Sequence, residues 1–423
     1  MHIGVYGAGY LGTVVSACLA DFGNPVTCYD ADSVRIYATA QGSIPFYEKN
    51  LKEVIKRNIR ASRLAYSTDL ESFASKCQVL FLAEDSHRYI EEIAMKLAVN
   101  LQHDVTLVLV TPAAVGTAAR LEARMKEMPN KVTIVSHPLF LTDGCAVEDF
   151  NWPDRIVVGT RSAQAVQALK EIYRPLAMRG VPIIVTNHET AELVREASTA
   201  FLATKISFIN ELSALCEQVR ADAVDLALAL GLDKKIGPRC LQPGAGFGGP
   251  FVESDMEALA QLATGNGVSL RVLTAAREVN RSLCDRVVDK LAGVLEGVSG
   301  KEFGILGLSF KPNTNSVAGS GSIHLAKSLM AKGARVRAYD PVAIPDAKQE
   351  MDRMPVRYCE SAYHAAEGSD ALVVGTGWPE FRALDFDRIK RLLRRPIVID
   401  TKNLLDGNRM RWMGFQYVGV GRC

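Results

Sequence analysis

Three glycine-rich turns carry most of the chemistry legible in this sequence. Gly7-Ala8-Gly9-Tyr10-Leu11-Gly12 follows a short apolar run and opens a stretch of helical periodicity, and Asp30 stands eighteen residues past Gly12. This is the arrangement that binds a dinucleotide. The first glycine makes the tight turn, the second lets the backbone approach a diphosphate, and the third packs helix on strand. The helix start offers amide donors and a positive dipole end. Asp30 would accept from the ribose hydroxyls and repel a 2′-phosphate, which selects NAD over NADP. The expected cofactor contacts are therefore Gly7, Gly9, Tyr10, Leu11, Gly12 and Asp30. The same residues also fit a plain glycine-rich turn.

The second turn, Pro243 to Pro250, can wrap amides around a phosphate or serve as a connector. The third, Gly307 to Thr314, follows a strand at the place where a doubly wound sheet takes its ligand. Lys311 there would meet a phosphate or a sugar hydroxyl, or would simply be solvated. Cys145 is a candidate nucleophile and Glu253 a candidate general base, each weighed against an inert core thiol and a solvated loop carboxylate. Histidines 137, 188, 324 and 364 show no metal-ligand spacing, and no metal is expected.

Elements that could position these residues alternate along the chain. Apolar strands are expected at 2–6, 26–29, 79–82, 106–110 and 132–135, with helical stretches between them, as in a parallel doubly wound sheet. From Thr190 nearly thirty residues run without glycine or proline and are apolar on more than one face. Such a helix serves either as a dimer seam or as an intrachain core helix. After Gly300 the alternation resumes, with strands at 303–309, around 335–340, in ALVVGT and in PIVID. The acid Asp340 closing one of these strands echoes Asp30. The expected fold is α/β: two Rossmann-like doubly wound parallel sheets joined by a long central helix and a helical middle domain. The expected divisions are 1–185 for NAD, 186–298 for the helical and dimerising middle, and 299–423 for a nucleotide sugar.

Composition narrows the function. The 423 residues are 48% hydrophobic and 23% charged with a formal net charge of +2, so no field recruits a nucleic acid polymer or a membrane surface. Nine cysteines, an odd number without a CxxC pair, predict a reducing cytoplasm. Neither a leader nor eighteen consecutive apolar residues is seen.

In order along the chain, IPFYEKNLKEVI, HPLFLTDGCAVEDFNWPDRIVVG, AFLATKISFINELSALCE, PGAGFGGP, GLSFKPNT, WPEF and IDTKN resemble the UDP-glucose/GDP-mannose dehydrogenase family from end to end. The resemblance implies a homodimer through the central helix, NAD as cofactor and a nucleotide sugar, a UDP-hexose, as substrate. In that family the C6 alcohol is oxidised to a carboxylate in two NAD-dependent steps, through an aldehyde held on a cysteine. Phe251 stands at the matching nucleophile position, and a phenyl ring cannot form a thiohemiacetal. The family's lysine, asparagine and glutamate correspond to Arg195, Thr199 and Leu139, its VPTP cofactor segment to Leu82-Ala83-Glu84-Asp85, and a partner-subunit arginine to Lys235. The resemblance places the sugar nucleotide against Phe140, Leu141, Asn210, Lys235, Gly246, Phe247, Gly248, Gly249, Phe310 and Lys311, with Arg195 and Asp255 as catalytic groups. Three functions stay open: an NAD-linked nucleotide-sugar oxidoreductase with altered chemistry, a binding homologue without turnover in a regulatory or structural role, and ordinary four-electron oxidation by rebuilt groups.

Overall fold

The computed structural model describes residues 1–85 and 89–422, and the chain divides into two compact units, Met1–Ala197 and Ser198–Cys423. The first holds eight strands: β1 (Ile3–Tyr6), β2 (Val26–Tyr29), β3 (Leu64–Ser67), β4 (Val79–Leu82), β5 (Val105–Leu109), β6 (Val132–Ser136), β7 (Ile156–Gly159) and β8 (Ile183–Thr186). Their order is β3-β2-β1-β4-β5-β6-β7-β8. The second holds six: β9 (Glu302–Leu306), β10 (Arg335–Tyr339), β11 (Val356–Tyr358), β12 (Ala371–Val374), β13 (Ile397–Asp400) and β14 (Gln416–Gly419), in the order β11-β10-β9-β12-β13-β14. Both are doubly wound, with the chain reversing direction at β1/β4 and again at β9/β12, where such sheets open a ligand crevice.

Why these short runs become central strands follows from their composition. Every residue of IGVY, VLFL and ALVV is buried, because helices cover both faces and each side chain meets a core whichever way it points. Val79 and Phe81 enter one cluster with Ile3 and Val5, while Leu80 and Leu82 enter another on the opposite face. The second sheet repeats this, Ala371 and Val373 on one side and Leu372 and Val374 on the other.

The expected strands form with bounds shifted by a residue or two, except that β9 stops at Leu306 where a strand to Ser309 was expected. Gly307 ends it in the left-handed region, φ +91°. A wholly parallel first sheet was also expected, and here the structure differs: β6 and β7 pair antiparallel through Ser136 and Gly159, and the remaining pairs are parallel. Five strands went unread, β3, β7, β8, β11 and β14. Four of them are sheet edges, half in solvent: Ile184 and Val185 of β8 are each 47% exposed. The long helix runs from His188 to Val219, 32 residues. No helix among the described residues is long and apolar enough to cross a membrane.

Candidate functional site

The turn after β1 is built by close approach. A Cβ on Gly12 would stand 1.9 Å from the Gly7 carbonyl oxygen, so only glycine lets the helix Tyr10–Asp21 start this near the strand end. Asp30, at the tip of β2, accepts from the Ala8 amide at 2.9 Å and from Asp32 N at 2.9 Å, and pairs with Arg35 at 3.0 Å. It therefore fixes the turn as well as lying where a ribose would be read. The helix offers its first amides, Tyr10 N and Leu11 N, and both donate to the Asp85 carboxylate, at 3.0 and 2.9 Å. The geometry fits a dinucleotide: a glycine turn after the first strand, a helix N-terminus holding an anionic group, and an acid on the next strand.

Tyr10 does something the sequence did not suggest. Its hydroxyl donates to buried Glu48 at 2.7 Å, and the same Glu48 oxygen accepts from Gly144 N at 2.7 Å. Burial pushes the Glu48 carboxyl above its usual range, with those hydrogen bonds opposing. Glu48 thus ties the glycine turn to the segment carrying Cys145. Its signal was present in IPFYEKN, a glutamate directly after the apolar and aromatic Ile44–Tyr47, but no periodicity rule assigns it a partner.

A second cluster forms at the carboxyl ends of β5 and β6, where Thr111, Pro112, Ser136, Pro138, Glu192, Arg195 and Glu196 line a cavity of about 30 Å³. That is room for water rather than a sugar ring. Glu192, from the long helix, accepts from Gly116 N at 2.6 Å and Ala118 N at 2.9 Å, capping the helix Thr117–Met125. Its pKa is raised by burial, against those two bonds. Arg195 stands one turn further on, at the cavity wall. Leu139 and Leu141 pack against the apolar core, and Phe140 lies under the Arg155 guanidinium, 3.8 Å from the ring centroid. Cys145, partly exposed, occupies the N-cap position of the helix Ala146–Asn151 without a side-chain capping bond.

In the second unit the glycine loop and the turn after β9 come together. A Cβ on Gly248 would meet the Gly319 carbonyl oxygen at 2.2 Å, and one on Gly249 would touch the Phe310 ring at 3.0 Å. The amide of Gly249 donates to Ala318 O at 2.9 Å. Lys311, partly exposed, continues the same turn. Asp340 holds that turn from beneath: one oxygen accepts from Leu308 N (2.7 Å), Ser309 N (3.0 Å), Ser309 Oγ (3.1 Å) and Trp378 Nε1 (3.2 Å), the other from Val342 N and Ala343 N. The resemblance between Asp30 and Asp340 is thus structural, each acid gripping the amides that follow the first strand of its sheet.

Two further residues expected at the sugar make the following contacts within the chain. Asn210 is fully buried, its Oδ1 accepting from Gly244 N at 2.8 Å and its Nδ2 donating to Ile206 O. It holds the glycine loop through the Gly244 amide. Lys235 is exposed in the segment after the helix Ala223–Leu232, its amide on Asp233. Sequence reasoning missed Asn280, whose Oδ1 accepts from Phe247 N at 2.8 Å and whose Nδ2 donates to Phe247 O at 3.1 Å.

Around the nucleophile position, Phe251 precedes the helix Val252–Gly265 and is 38% exposed. Asp255 is buried and accepts from Thr199 Oγ1 at 3.2 Å. Glu253 is held by Arg277 at 2.8 Å and Arg281 at 2.7 Å, the environment of a surface ion pair.

Two doubly wound sheets, a dinucleotide turn on one and a glycine loop seated against the first turn of the other define an NAD-binding protein with a separate nucleotide site. The chain belongs to the UDP-glucose/GDP-mannose dehydrogenase family: its NAD-binding domain matches residues 1–177, its central domain 189–282 and its UDP-binding domain 304–407. The cofactor is NAD and the ligand class a nucleotide sugar. The chain is 36% identical over 440 residues to a UDP-glucose 6-dehydrogenase of Rhizobium meliloti, covering all of both chains. It is 35% identical to one from Rickettsia conorii, over all of this chain and 99% of that one. A UDP-glucose dehydrogenase structure from Pyrobaculum islandicum superposes with a TM-score of 0.91 at 30% identity, over 100% of this chain and 98% of that one.

Proposed function

We propose that this protein is an NAD-linked oxidoreductase of a UDP-hexose in which the chemistry differs from four-electron oxidation. The observation carrying this reading is the side-chain set at the start of the helix Val252–Gly265: a phenyl ring at 251 and an Asp255–Thr199 hydrogen bond of 3.2 Å. A ring carbon offers no lone pair to a sugar aldehyde, so the covalent hold that commits an aldehyde to a second oxidation is missing at this position. A hydroxyl–carboxylate pair can still take a proton from a sugar alcohol. Arg195, permanently protonated, does not act as base. NAD, when bound, supplies the hydride acceptor. Together these support a single two-electron step between an alcohol and a carbonyl.

The second reading, a homologue that binds without turnover, is favoured by two observations. Glu253 is neutralised by two arginines, and Leu139, at the family's glutamate position, is packed into apolar core. In either reading the chain pairs with a second copy along the central helix. Phe201, Phe208 and Leu215 recur every seven residues and are 66%, 52% and 56% exposed, an apolar stripe suited to a facing helix. Nine scattered cysteines without a CxxC pair support the proposed cytoplasmic setting.

Calorimetric titration with NAD and with UDP-glucose, read together with NADH absorbance, separates the readings. Binding of both with NADH formed supports the oxidoreductase, and binding without NADH from any UDP-hexose supports the second reading. Phe251→Cys alone is expected not to yield UDP-glucuronate, because Arg195, Thr199 and Leu139 remain. Vigorous four-electron turnover by that single variant overturns the altered-chemistry assignment.

A further inference from the structure

The Asp85 carboxylate sits where the NAD diphosphate has to go. The first four amides of a helix have no partner within it. Here Tyr10 N and Leu11 N, the donors nearest the glycine turn, are spent on Asp85 Oδ2 and Oδ1 at 3.0 and 2.9 Å. A Cβ on Gly9 would stand 2.0 Å from Asp85 Oδ2 and 2.7 Å from its Cγ, so the carboxylate lies in the hollow that a missing side chain opens. That hollow is the one a dinucleotide turn keeps clear for its diphosphate. A carboxylate and a phosphate cannot both take the same two amides.

The surroundings sharpen the conflict. Glu84 places Oε1 3.3 Å from the position of a Cβ on Gly7, and Asp30 holds Ala8 N on the other side, so three carboxylates ring one turn. Burial raises the Glu84 pKa, and the charges of Asp30 and Asp85 add to the effect. Glu84 is also fixed by its own backbone, its amide donating to Thr111 Oγ1 at 2.7 Å. Asp85 is different: it is exposed, so its side chain can turn out to water without disturbing the core.

We propose that Asp85 is an internal anion that closes the cofactor turn, so that NAD binds only to molecules in which this carboxylate has swung away. Apparent affinity for NAD is then the intrinsic affinity multiplied by the fraction of open molecules. Two charge-assisted hydrogen bonds at an exposed helix end hold the closed form, which makes the open fraction on the order of one tenth or less. The inference rests on the NAD site lying at the Gly7–Gly12 turn.

The test compares the full-length chain with Asp85→Ala and Asp85→Asn by calorimetry, using NAD, ADP-ribose and adenosine as probes. Asp85→Ala is expected to tighten NAD and ADP-ribose about tenfold or more, with Asp85→Asn between it and the parent. Adenosine, which carries no phosphate, is expected to bind all three alike. Equal affinity of parent and both variants for ADP-ribose overturns the proposal while leaving the NAD site in place. So does a loss of affinity in Asp85→Ala, which would make Asp85 a cap that supports the turn. If neither parent nor variants bind ADP-ribose, the NAD site at this turn and the proposal fall together.

Discussion

Removing one oxygen of Asp340 should cost more than most surface changes in this protein and should act on two observables at once. In Asp340→Asn the amide nitrogen must replace one of two oxygens that together accept from six donors, four on Oδ2 and two on Oδ1. Whichever way the amide turns, at least two backbone N–H groups face an NH₂. Asp340 is 1% exposed, so water does not repair them. At about 1–3 kcal/mol for each buried donor left without an acceptor, two such donors cost roughly 2–6 kcal/mol. For a unit of this size, about 2–4 °C of melting temperature goes with each kcal/mol, so the transition of the second unit should fall by about 4 °C at least and up to roughly 20 °C. The Leu308 and Ser309 amides lead directly into Phe310 and Lys311, so UDP affinity should weaken alongside. Differential scanning calorimetry and UDP titration below the transition read the two effects. A destabilisation under about 1 kcal/mol with UDP binding unchanged would refute the view that Asp340 holds this turn.

Other outcomes follow from burial and charge. His137 is fully enclosed, its Nδ1 on Val157 O at 2.7 Å and Nε2 on Tyr173 Oη at 2.8 Å, and burial pushes its pKa down from 6.5 to about 4. Because the folded value lies below the unfolded one, stability is complete above pH 6.5 and is lost as pH falls toward about 4. The contribution amounts to about 3 kcal/mol, and urea unfolding across this window should show a slope that His137→Asn flattens. Phe208→Glu places a charge in the exposed stripe of the central helix. On the proposed pairing along this helix it should shift sedimentation from dimer toward monomer while leaving the far-UV spectrum unchanged, and an unchanged sedimentation coefficient would refute pairing through the stripe.

What the sequence by itself determined is the part governed by local pattern. Central strands announce themselves because they are apolar on both faces, the dinucleotide turn because only glycine fits its spacing, and the long helix because it lacks breakers. The echo of Asp30 in Asp340 was legible for the same reason, since both stand at a strand tip next to a glycine turn. Edge strands such as Ile183–Thr186 were not, because half their surface faces water and their composition resembles a loop. The antiparallel pairing of β6 with β7 was equally hidden: strand direction depends on the route of the chain between strands, not on their residues. Tertiary structure alone decided which polar side chains meet. Glu48 reaches Tyr10 and Gly144 across 38 and 96 positions of sequence, and Asp85 reaches Tyr10 N across 75. Asn210 Oδ1 accepts from the Gly244 amide across 34 positions. Hydrogen bonds form between groups near in space, and no local rule records how the chain brings such distant residues within 3 Å of one another.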